Sequence, residues 1–138
     1  MLINTPISVG ELIDKISILL IKKKNIKDSM KLQHIEKELS MLESNLKSLT
    51  KDHEVGPDGA KLFFKIEEFK NSLLEINSIL WKIEDDIRNC ERNKSFDKKF
   101  IELARAVYQT NDKRSEIKNE INNYFGSTLI EVKSYEKY

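Results

Sequence analysis

This chain has few of the residues that interrupt helices. Its 138 residues hold Pro 2 and Gly 4, against 34% charged and 39% hydrophobic residues. Lys, Glu, Leu and Ile supply most of the rest, which is the composition of a helical protein. Cys90 stands alone, so no disulfide forms within the chain, in keeping with a reducing compartment. The formal net charge of +1 points to neither a polybasic nucleic-acid surface nor an acidic tail. The opening "MLINTPISVG" lacks the basic start and apolar run of a signal peptide. The longest apolar run, "ISILLI" from Ile16 to Ile21, is too short to span a bilayer. A soluble, cytoplasmic protein of one domain, residues 1–138, is the expectation, with no membrane and no nucleic acid among its partners.

Chemical motifs are missing too. No G-x-x-x-x-G-K-[ST], G-x-G-x-x-G or G-x-S-x-G occurs, so phosphate loops and serine nucleophiles have no support. His34 and His53 lack the spacing of metal ligands, and no metal site is expected. The carboxylates Glu67, Glu68, Glu75, Glu84 and Asp85 do not form the tight paired motifs with which facing helices hold Mg²⁺. The basic run "IKKKNIKDSMK" has no interleaved aromatics, which argues against a nucleic-acid surface. Nothing names a cofactor.

What remains is helical periodicity. Ser8 with Glu11 forms a capping-box pattern, and Val9, Leu12, Ile13, Ile16, Leu19 and Leu20 follow as one stripe. Ile18 and Ile21 fall on the opposite face, so the first helix is apolar nearly all round. Either it lies centrally or a second chain covers it. Asp28 or Ser29 caps a second helix with the seam Leu32, Ile35, Leu39, Leu42, Leu46 and Leu49. "TKDHEVGPDG", residues 50–59, reads as a loop. A third helix runs from about Ala60 to Arg92 on an unbroken seam that includes Leu73, Leu80, Ile83 and Cys90, a core thiol. At 1.5 Å per residue it reaches roughly 50 Å. Asp97 or Ser95, with Phe96 as a staple, starts a fourth helix that ends at Gly126. The expected fold is all-α: an antiparallel four-helix bundle with a long, coiled-coil-like helical hairpin arm and a short extended C-terminal tail. The apolar faces also predict a homodimer.

The fourth helix breaks its own rule at "QTNDKRSEIK", residues 109–118. Advancing 100° per residue, Asn111, Arg114 and Lys118 fall in the arc of Phe100, Ala104 and Val107. Buried cations require anions. The third helix offers Glu84 and Glu91 in a row with Arg88, beside Trp81, while Arg105, Tyr108 and Asp112 occupy the adjoining strip of the fourth. Glu11, Asp14 and Lys15 add charge on the first helix. One reading is a structural ion-pair network that fixes helix register. The other is a polar groove that binds a ligand between helices.

Three stretches, "PISVGELIDKISIL", "LWKIEDDIRNCE" and "FIELARAVYQTNDKRSEIKNEIN", together resemble a family of small helical domains of unknown function from bacteria and their phages. Such domains are sometimes appended to larger proteins of surface-sugar or glycosyltransferase context. The resemblance spans nearly the whole chain except the 50s loop and the last few residues. It implies that Glu84, Asp85, Arg88, Arg105, Tyr108, Asn111, Asp112, Arg114 and Lys118 belong to a shared pattern, and it carries over no activity, ligand or catalytic residue.

Two functional expectations follow. The first is a non-enzymatic interaction or ligand-binding module with its groove between the third and fourth helices, serving a protein partner or a small anionic ligand. Trp81, Glu84, Arg88, Arg105, Tyr108, Asn111, Asp112, Arg114 and Lys118 would line that groove. The alternative is an enzyme acting on a phosphorylated or nucleotide-like substrate with Mg²⁺. There Arg105, Arg114 and Lys118 would bind the anion, and Glu84 or Asp112 would serve as acid, base or metal ligand.

Overall fold

The computed structural model describes residues 1–50 and 57–138. Four helices follow one another: α1 (Val9–Asn25), α2 (Ser29–Thr50), α3 (Pro57–Arg92) and α4 (Lys98–Phe125). No strand occurs among the described residues. The loop expected over residues 50–59 lies largely outside them. α3 starts at Pro57 rather than near Ala60, with proline in the first helical position, where its missing N–H costs nothing. It runs without a break through Trp81. No helix among the described residues is long and apolar enough to cross a membrane.

The caps follow the sequence. Ser8 Oγ accepts a hydrogen bond from the Glu11 backbone N–H at 3.1 Å, Asp28 Oδ1 from Lys31 N–H at 2.9 Å, and Asp97 Oδ1 from Lys99 N–H at 3.1 Å. Phe96 packs edge-on against Phe100, with ring centroids 5.2 Å apart. α4 ends in a left-handed turn at Gly126, with φ 59°, where Ser127 N–H reaches Asn122 O at 2.8 Å. α3 ends in the same motif without a glycine: Lys94 takes φ 51°, and Ser95 N–H reaches Cys90 O at 2.9 Å.

α1 is the axis of the bundle and packs against α2, α3 and α4. Its Ile13 and Ile16 meet Leu73 of α3 and Ile121 of α4 in a core that excludes water almost completely. Ile35, Leu39 and Leu46 of α2 join that core, yet α2 packs chiefly on α1 and touches α3 only sparsely. The apolar girdle of α1 explains this, because a helix with little polar face is best covered from several sides. Its second face is covered within the chain: Ile21 is buried and Ile18 half-buried.

Gly10 sets how closely α1 crosses α4. A Cβ there would stand 2.5 Å from the carbonyl oxygen of Lys118 and 2.8 Å from Asn122 Oδ1. The bare backbone lets Gly10 N–H donate to Asn122 Oδ1 at 2.7 Å, satisfying one of the free donors of the first turn of α1. Asn122 Nδ2 stays buried without a partner among the described residues, at a cost of about 1–3 kcal/mol.

Candidate functional site

The polar break in α4 meets a polar break in α1. Asp14 lies on the core face of α1 beside Ile13 and is fully buried, as is Ser17 one turn later. Arg114 of α4 closes on Asp14 in a two-pronged pair: Nε donates to Oδ1 at 2.9 Å and a terminal nitrogen donates to Oδ2. Such forked pairing is the strongest geometry open to these groups. Asn77 of α3 completes the cluster. Its Nδ2 donates to Asp14 Oδ1 and to Ser17 Oγ, both at 2.8 Å, while Ser17 Oγ donates to the Asp14 carbonyl oxygen at 2.8 Å. Three helices are thus pinned through one buried carboxylate. The Asp14 hydrogen bond holds the Arg114 guanidinium above its ordinary pKa, against the opposite pull of burial.

Lys118, one turn further along α4, is buried between two other carboxylates. Its Nζ donates to Glu11 Oε2 of α1 at 2.7 Å and to Glu131 Oε2 of the C-terminal tail at 2.6 Å. Burial pulls the Lys118 ammonium down, but the hydrogen bonds to Glu11 and Glu131 outweigh it and leave its pKa raised. Glu11 is therefore aimed across the bundle at Lys118.

Above the Asp14 cluster opens a groove of about 460 Å³, within the range of small-molecule sites. α3 forms one wall with Trp81, Glu84, Asp85 and Arg88. Asn111 and Arg114 of α4 form the other, and Ile18 and Ile21 of α1 lie beneath. Five of the residues expected from sequence converge here: Trp81, Glu84, Arg88, Asn111 and Arg114. Arg88 pairs with Glu84 on its own helix, and neither reaches Arg114. The anion for Arg114 comes from α1 rather than α3, because the crossing of α1 brings Asp14 over α4. Among the described residues, no group of three or more His, Cys, Asp or Glu side chains is placed to hold a metal ion.

The other four expected residues lie elsewhere. Lys118 belongs to the Glu11–Glu131 cluster. Arg105 is exposed and pairs with no described residue. Tyr108 and Asp112 face the tail, which runs as extended chain along α4. Tyr138 Oη donates to Asp112 Oδ2 at 2.9 Å, Lys133 Nζ donates to Asp112 Oδ1 at 3.1 Å, and the Tyr108 and Tyr138 rings meet edge-on at 5.0 Å. The hydrogen bonds from Tyr138 and Lys133 hold Asp112 below its usual pKa, and the same contact with Asp112 raises that of Tyr138. Asn77, Ser17 and Glu131 were not singled out by sequence reasoning. Asn77 leaves a signal only as an amide next to the seam residue Ile76, and Glu131 leaves none.

Comparison with models of protein families, with curated proteins and with solved structures finds no match to this chain.

Proposed function

We propose that the chain is a non-catalytic ligand-binding module whose site is the groove between α1, α3 and α4. The observation that carries this is Arg114. A guanidinium has five N–H donors, and Asp14 engages only one edge of it. Among the described residues the opposite edge meets only the long 3.4 Å contact with Asn111 Oδ1, and Arg114 lines the groove. A side chain fixed from behind and unspent in front is preorganised for a ligand, because the entropy of ordering it is already lost on folding. Trp81 adds a flat apolar face, and no aromatic ring packs on it among the described residues. The resemblance to small helical domains of bacteria and phages fits a module of this size, and a cytoplasmic location is part of the same reading. Self-association as a homodimer also belongs to it, now on the exposed Phe63 and Phe64 of α3 rather than on the covered face of α1.

Trp81 is the single tryptophan, so its emission reports on the groove alone. Phosphate, free amino acids and small heterocycles, each titrated to about millimolar concentration, should include a probe that shifts Trp81 emission saturably and raises the melting temperature. Silence across the whole panel in both measurements would refute the groove as a binding site.

A further inference from the structure

The polar lining of the groove has a hydrogen-bonding polarity that selects among ligands. Asn77 is 5% exposed, and both hydrogens of its amide are engaged, by Asp14 and by Ser17. The carboxylate of Asp14, already paired with Arg114, can only accept, so the amide nitrogen of Asn77 must face it and the amide oxygen must face away. That oxygen accepts no hydrogen bond among the described residues, and it is not sealed from solvent. Asn77 lines the groove, and with its amide nitrogen turned to Asp14 and Ser17 the oxygen is left for the groove side. Arg114 is its neighbour, for the two side chains share one anchor: Asp14 Oδ1 receives Asn77 Nδ2 at 2.8 Å and Arg114 Nε at 2.9 Å, and Arg114 lines the same groove. The groove therefore presents an acceptor and a donor on neighbouring side chains, a buried amide and a half-buried guanidinium, each held by Asp14. Trp81 lies on α3 at i+4 from Asn77, the spacing that puts neighbours on one helix face.

We infer, resting on the groove being a binding site, that its ligand is a neutral planar ring with a cyclic amide edge, of nucleobase size. The ring C=O accepts from Arg114, the adjacent ring N–H donates to Asn77 Oδ1, and the ring face lies against Trp81. The same geometry disfavours a free anion. Arg114 is already paired with Asp14, the Asn77 oxygen would oppose a second negative charge, and Asp85 stands on the wall where Glu84 and Arg88 offset each other. A cyclic amide satisfies both groups without introducing charge. A site built to hydrogen-bond an N–H rejects the analogue that lacks it, since its acceptor is then left dry and unpaired.

The test edits the ligand, so folding of a variant does not enter. Trp81 emission of the wild-type chain is titrated with uracil, with 1,3-dimethyluracil, which keeps the ring and carbonyls but has no N–H, and with inorganic phosphate. Uracil should quench saturably, the dimethylated ring should bind roughly tenfold more weakly or worse, and phosphate should have no effect. Equal binding of the two rings would overturn the amide-edge assignment, leaving a groove that only stacks. No response to uracil, or a response to phosphate in its place, would overturn the ring while a responding probe elsewhere in the panel kept the groove. Silence from every probe would remove both.

Discussion

Arg114 and Arg88 line one groove, and each is paired with a carboxylate, yet their pairs are of different kinds. Arg88 bonds Glu84 one turn back on its own helix, with side chains 68% and 43% exposed. Water competes for every such contact, and pairs of this sort contribute about 0–1 kcal/mol. Arg114 bonds Asp14 across the bundle, with side chains 27% and 1% exposed. Here the carboxylate has no alternative partner in solvent, so the pair constrains how α1 and α4 may sit. Identical chemistry thus decorates one helix and positions another, and burial of the anion makes the difference.

The strongest challenge to this contrast is Arg114→Met. It strands Asp14 in the core and should cost about 3–5 kcal/mol in urea denaturation. Replacing Asp14 by Leu in the same chain should restore a good part of that loss, because the uncompensated charge is gone. A single-mutant loss below about 1 kcal/mol would put Arg114 in the same class as Arg88.

Lys118→Met should have an intermediate effect of about 1–2 kcal/mol, since Glu11 and Glu131 are partly exposed and regain water. Its sign with pH is fixed. A raised lysine pKa adds stability that is fully present below the unfolded value of 10.5 and is lost as pH rises through the higher folded value. The wild type should therefore lose stability more steeply than Lys118→Met in alkaline melts. Parallel alkaline curves would contradict the paired ammonium.

Arg88→Met and Glu84→Gln should each shift stability by less than about 0.5 kcal/mol. Either one costing as much as Lys118→Met would mean that burial does not separate the two pairs.

The helices, their caps and the odd chemistry of α4 could be read from the sequence because each is local. Ser8, Asp97 and Gly126 announce themselves within a few residues, and Asn111, Arg114 and Lys118 stand out as polar positions in an apolar stripe. The partners could not be read in the same way. Glu84 and Glu91 carry the same charge as Asp14, and the choice among them depends on the rotation at which helices cross, which a stripe does not encode. Gly10 holds that information as a missing Cβ. Asn77 was hidden for a related reason: one position past Ile76, an amide reads as solvated surface until a neighbouring helix arrives. Glu131 sits in a tail with no helical periodicity to place it.

The central position of α1 also has a consequence in time. The first helix in chain order is buried by the other three, and its polar anchors lie far downstream: 63 residues separate Asp14 from Asn77, 100 separate it from Arg114, and 112 separate Gly10 from Asn122. Contacts of such separation carry the loop-closure entropy that slows folding, whereas each helix forms from neighbours. During synthesis α2 and α3 can cover part of Ile13 and Ile16, but Asp14 lacks its guanidinium and the core lacks Ile121 until α4 has left the ribosome. The groove is thus completed only when α4 docks, and a chain halted before residue 114 would leave the α4-facing side of its most apolar helix open, with Asp14 unpaired by arginine.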